Sequence, residues 1–127
     1  MKFMIMFGAD SATEERAPAC KELDEMKEFI GELASAGILE STEALKPSVS
    51  GARVRNSGGK MSIKDGPFTE AKEMVAGFVI VRVDSKAEAV ELSQRFLRIA
   101  GDGSSAEVRE VIEAPTEAES GVLELQL

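Results

Sequence analysis

An α+β fold, with two long helices on one antiparallel sheet, is what the sequence predicts, and three observations carry it. Segments that read as strands occur at residues 2–7, 38–46, 52–56, 60–64, 76–83 and 106–112, continuously apolar at 3–7 and nearly so at 76–83. Two segments between them place apolar residues at helical spacing. The chain has 127 residues, 43% of them hydrophobic and 30% charged, which suits one ordinary core and leaves no room for two.

Residues 2–7 are apolar on both alternating sets, with Phe3, Ile5 and Phe7 on one side and Met4 and Met6 on the other. A strand of that kind is covered on both faces. Ala17-Pro18 permits a helix start, because proline is tolerated in a first turn, and Leu23, Met26, Ile30 and Leu33 follow at spacings of 3, 4 and 3 before Gly37. Residues 38–46 read as a second strand closed by Pro47, and residues 52–56 as a third with Arg53 and Arg55 on one face. Asn56-Ser57-Gly58-Gly59 supplies residues that tolerate positive φ, which predicts a hairpin into residues 60–64 and a β-meander in the middle of the chain.

After Asp65-Gly66-Pro67-Phe68, residues 69–74 read as a short helical segment and residues 76–83 as a central strand with few polar interruptions. Ser85 with Glu88 three residues later has the form of a capping box, and Ala89, Val90, Ser93, Phe96 and Leu97 give the second long helix its buried stripe. Gly101-Asp102-Gly103 ends that helix. In the last strand, residues 106–112, Glu110 interrupts the apolar alternation and marks an edge or an interface. Residues 114–127 form an acidic C-terminal tail carrying Glu117, Glu119 and Glu124, expected to be mobile or pinned to a partner subunit.

The resulting order is βαββαβ with an inserted hairpin, the ferredoxin-like arrangement. Two helices cover only one face of such a sheet, yet the first and fifth strands are apolar on both. An apolar face left in water costs about 25 cal/mol per Å². A homodimer packed sheet to sheet is therefore expected.

Composition narrows the function. The chain has no histidine, which excludes Ser-His-Asp and Cys-His nucleophiles and His-based zinc or iron sites. Cys20, the single cysteine, can form neither an internal disulfide nor a CxxC pair, so a reducing, cytoplasmic setting is expected, and the residue itself reads as a small helix side chain. Fifteen basic and 23 acidic residues give a formal charge of −8, and the tail holds three of those acids with no base, leaving the body near −5. That field opposes direct contact with nucleic acid. No apolar run approaches the roughly 18 residues that span a bilayer, so no membrane partner is expected, and the opening run is too short for a signal peptide.

Other motifs fail on inspection. Gly59-Lys60 is followed by Met61 and lacks an earlier glycine at the spacing of a phosphate loop. Asp24, Glu25 and Glu28 form an acidic helix surface with no second carboxylate set at ligand spacing, so neither a metal nor another cofactor is expected. The methionines at positions 4, 6, 26, 61 and 74 read as core.

The run Lys64-Asp65-Gly66-Pro67-Phe68-Thr69-Glu70-Ala71-Lys72-Glu73, followed by Gly77-Phe78, resembles the signature of the DGPF proteins within the YCII-related superfamily. Met1-Lys2-Phe3-Met4-Ile5-Met6 and the helix exit Ala36-Gly37-Ile38-Leu39 are similar to that family as well, so the resemblance spans residues 1–113. It implies a YCII-related (DGPF) domain over that range and a dimeric α/β-barrel of ferredoxin-like subunits, which agrees with the burial argument. Some members of the family occur with, or fused to, extracytoplasmic-function sigma factors. Related YCII proteins carry a His-Asp pair in a pocket regarded as catalytic, and this chain has no histidine to fill that role.

What matches is the DGPF word itself. Asp65 supplies the acid, Gly66 a positive-φ geometry denied to other residues, Pro67 a fixed φ and Phe68 an apolar anchor. Two readings of Asp65 stay open. Its carboxylate accepts backbone N–H bonds within the turn, or it lines a cleft beside Arg53, Arg55, Lys64 or Arg82 and acts as an acid, a base or a ligand acceptor. The ligand-binding candidates are therefore Asp65, Arg53, Arg55, Lys64, Phe68 and Arg82, with no catalytic residue assigned. Glu70 and Lys72 read as a solvated helical turn.

Two functions from different classes follow. One is a small-molecule-binding homodimer, with weak or lost enzymatic activity, whose cleft lies near Asp65. The other is a protein-interaction module in transcriptional regulation, with a sigma factor as partner.

Overall fold

A computed structural model describes residues 1–9, 20–68 and 74–113. In chain order the elements are β1 (Lys2–Ala9), α1 (Cys20–Ser35), β2 (Leu39–Ala44), a 3₁₀ turn (Ser48–Ser50), β3 (Ala52–Ser57), β4 (Lys60–Asp65), β5 (Met74–Arg82), α2 (Lys86–Ala100) and β6 (Ser104–Glu110). One sheet has four strands in the order β2-β5-β1-β6, and each pairing in it is antiparallel. β3 and β4 form a separate antiparallel ribbon. The described chain is thus α+β, with two helices and antiparallel sheets, and its strand order is compatible with the ferredoxin-like plan.

The local sequence explains the element ends. In α1 the N–H of Gly37 donates to Ala34 O at 3.1 Å and that of Ile38 to Leu33 O at 3.0 Å, with Gly37 at φ +73°. This paired closure requires a left-handed residue, which glycine supplies without a Cβ penalty. At the start of α2, Ser85 Oγ accepts from the Glu88 N–H at 3.2 Å, while the Glu88 carboxylate accepts from the Asp84 N–H at 3.0 Å. The capping box is therefore present, with its return bond made one residue earlier than the simplest pattern. Between β3 and β4, Gly58 and Gly59 have φ of +58° and +82°, the two positive values that a tight two-residue hairpin needs.

The core lies between the helices and one sheet face. Phe3 and Ile5 of β1 and Val79 and Val81 of β5 meet Phe29 and Leu33 of α1 and Ala89, Leu92 and Phe96 of α2. The Phe96 ring centroid is 4.3 Å from that of Phe7 and 4.6 Å from that of Phe29, the latter edge to face, so one side chain joins both helices to the sheet. On the other face Met4 stands opposite Ile80 and Met6 opposite Phe78, all four half-buried.

Several expectations change. Leu23 and Val90 are exposed, whereas Phe29 and Leu92 are buried. Helical spacing fixes the apolar face only to within about one residue of its edge, and the larger or more central side chain takes the core. β2 pairs with β5 rather than with β3, so the middle of the chain is no continuous meander. Met61 is exposed rather than core. Met74 opens β5, and the remainder of the expected 69–74 helix lies outside the described residues, as does the tail at 114–127. β5 is central and β6 is an edge strand, on which Glu110 is exposed.

Truncating the joint side chain, Phe96→Ala, is expected to cost about 3–5 kcal/mol of stability, measured by urea unfolding followed by circular dichroism.

Candidate functional site

The Asp65-Gly66-Pro67-Phe68 turn is built against the 3₁₀ segment. The N–H of Gly66 donates to Gly51 O at 2.9 Å, and the N–H of Phe68 donates to the Ser48 hydroxyl at 3.2 Å. A Cβ on Gly66 would lie 1.7 Å from the Ser48 carbonyl oxygen and 2.5 Å from its carbon. Gly66 is not among the positive-φ glycines, so the expected reason for this glycine is corrected: close backbone approach demands it. The Gly66-Pro67 peptide is cis.

Phe68 is held from the ribbon side as well, because the Arg53 guanidinium lies 4.3 Å from its ring centroid. Such a contact contributes about 0.5–1 kcal/mol at an exposed site. Register places Arg53 opposite Lys64 and Arg55 opposite Ser62, on one ribbon face. Asp65 stands opposite Ala52 and shares the other face with Val54 and Ile63. The structure thus gathers Arg53, Lys64 and Phe68, keeps Arg55 along the same face, and turns Asp65 away from them.

Arg82 belongs to the main sheet. Its Nε donates to Glu40 at 3.2 Å and its Nη1 to Glu113, while Lys2 Nζ reaches the other Glu40 oxygen at 3.0 Å. The hydrogen bond from Lys2, reinforced by the charge of Arg82 and opposed by partial desolvation, holds the Glu40 carboxyl below its ordinary range. The hydrogen bond to Glu113 and the charge of Glu40 raise Arg82 above its own.

A cavity of about 610 Å³ opens elsewhere, between α1, the last turns of α2 and the end of the sheet where β1 finishes and β5 begins. Phe7, Met26, Ile30 and Phe96 give it apolar walls, and Glu22, Glu43 and Lys46 are its charged residues. Small residues keep it open: Gly8, Ala9, Ala44, Ala76 and Gly77 lie around the sheet end. At Gly77 the β2 backbone comes so close that a Cβ would lie 2.7 Å from Glu43 O. The N–H of Leu45 donates to Ala76 O at 2.8 Å and carries the β2–β5 pairing one residue past the strand, forming the wall that runs on to Pro47. The next residue is Ser48, so cavity wall and DGPF turn are supported by one segment.

None of the six sequence candidates lines this cavity. The signal that could have found it is the small-residue pairs Gly8-Ala9 and Ala76-Gly77 at the ends of two apolar strands, which leave space beneath the helices. Among the described residues no three Asp, Glu or Cys side chains are grouped as a metal site would need. None of the described helices is long and apolar enough to cross a membrane.

The family described as the YCII-related domain matches residues 1–115, nearly the whole chain. The chain belongs to the YCII-related domain family. It is also 34% identical over 74 residues to an uncharacterised protein of Rhizobium meliloti (strain 1021), a match covering 58% of this chain and 60% of that relative.

Two outcomes test the geometry of this YCII-family chain. Gly66→Ala is expected to cost about 3 kcal/mol or more in urea unfolding, because the clash is with backbone that cannot swing aside. Asp65→Asn, an exposed change, should stay within about 0.5 kcal/mol. The Glu40 network should show in the acid limb of stability. A carboxyl whose folded pKa is depressed contributes stability above its unfolded value near 4.5, and loses that contribution as pH falls through the folded pKa. Thermal melts from pH 6 down to about pH 3 should therefore fall less steeply for Glu40→Gln than for the parent chain.

Proposed function

We propose that this chain is a homodimer of ferredoxin-like subunits, a dimeric α/β-barrel with the β3–β4 hairpin inserted, that binds a small and largely apolar molecule. The observation that carries the reading is the cavity of about 610 Å³ between the helices and the sheet end. Its volume lies within the range of small-molecule sites, and apolar walls with few charged groups are the usual composition of such sites. The lack of histidine favours binding over the acid-base chemistry of His-bearing relatives. Gly66 and Phe68 enter this reading as supports of the cavity wall through Ser48, not as ligand contacts. The half-buried Met4, Met6, Phe78 and Ile80 on the helix-free sheet face support the dimer. The exposed free thiol of Cys20 fits a reducing cytoplasm.

A thermal-shift screen against a broad metabolite panel tests this. A ligand present at about 100 times its Kd adds about 2.7 kcal/mol, readily seen as a raised melting temperature. Ala76→Trp should abolish that shift by filling the cavity from an exposed wall position while leaving the chain folded. A shift that survives Ala76→Trp but disappears in Arg53→Ala would move the site to the ribbon and overturn the reading.

A further inference from the structure

We infer that the β3–β4 ribbon is an arm that lies across a second copy of the chain. The inference rests on the homodimer proposed above and adds the element that clasps the two copies together.

The ribbon has two opposed faces. Val54, Met61 and Ile63 share one of them and are 60%, 68% and 72% exposed. Arg53, Arg55, Lys60 and Lys64 share the other. A two-stranded ribbon is marginal without a covered face, and this one pairs only with itself, outside the four-stranded sheet. Its described anchorage is at the root, through Gly66 to Gly51, Phe68 to Ser48 and Arg53 over Phe68. The apolar face further out is therefore a docking surface without an occupant in its own described chain.

Charge indicates the occupant. Residues 52–65 hold four basic side chains and one acid, a formal +3, in a chain whose total is −8, so everything else carries −11. A cationic arm on an acidic body is complementary to the body of another copy, and like bodies that would otherwise repel are bridged by it. The second uncovered apolar surface, the sheet face of Met4, Met6, Phe78 and Ile80, needs a partner too. In a two-fold pair each copy gives and receives the same contact, so one association covers the sheet face and both arms.

The test uses the full chain. Equal amounts of 14N- and 15N-labelled protein carrying a photoreactive methionine analogue are refolded together and irradiated, which joins each methionine side chain to whatever it touches. Mixed-isotope peptides linked through Met61, on the apolar face, are expected; links from Met61 confined to one isotope, or none, would overturn the inference and leave the face to the chain's own remaining segments. In parallel, sedimentation velocity over a dilution series should show Val54→Lys/Ile63→Lys raising the dimer Kd at least tenfold with unchanged far-ultraviolet circular dichroism. An unchanged Kd in that variant rejects the arm while leaving the dimer intact. A parent chain that sediments as a monomer rejects both.

Discussion

The whole arrangement turns on a single aromatic wedge. Phe96 projects from α2 between Phe7 of β1 and Phe29 of α1, so the two helices and the sheet share one contact. Close packing makes such a joint stiff, since neither helix can slide without opening a void beside the ring. The same ring is also a wall of the cavity. Core and candidate site are therefore continuous: the space begins where the sheet end has only small residues left to fill it.

The fold was readable to the extent that it is governed by period and by end chemistry. The positions of β1 and β5 followed from apolar runs and those of the other strands from the turn residues that bound them, helix ends from Gly37 and Gly101, the cap from Ser85 and Glu88, and the hairpin from Gly58-Gly59. The edges of the helical stripes were less readable, because spacing alone does not say whether Leu23 or Phe29 is drawn inward. Pairing partners were harder still. That β2 seeks β5 rather than β3 depends on contacts between segments more than 30 residues apart, and no local signal encodes them.

The candidate site was the least legible part, and the reason is physical. Charged residues in a named word draw attention, but Asp65, Arg53, Arg55 and Lys64 sit on an exposed ribbon whose alternation separates the acid from the bases. The cavity is defined by what is missing: side chains at Gly8, Ala9, Ala76 and Gly77 too small to fill it. Absent volume leaves only small residues at strand ends as its trace in a sequence. The DGPF turn meets the cavity indirectly, because the backbone of Ser48 accommodates Gly66 on one side and continues the wall from Pro47 on the other.

The bond from the Val111 N–H to Lys2 O, together with the contact between Arg82 and Glu113, fixes where the chain leaves the sheet. That exit is at the end of β1 opposite to the cavity, about 23 Å away along seven strand steps. The last described residues therefore lie at the end of the sheet remote from the cavity. Ile112, exposed at that end, is a position where a label leaves the cavity wall untouched.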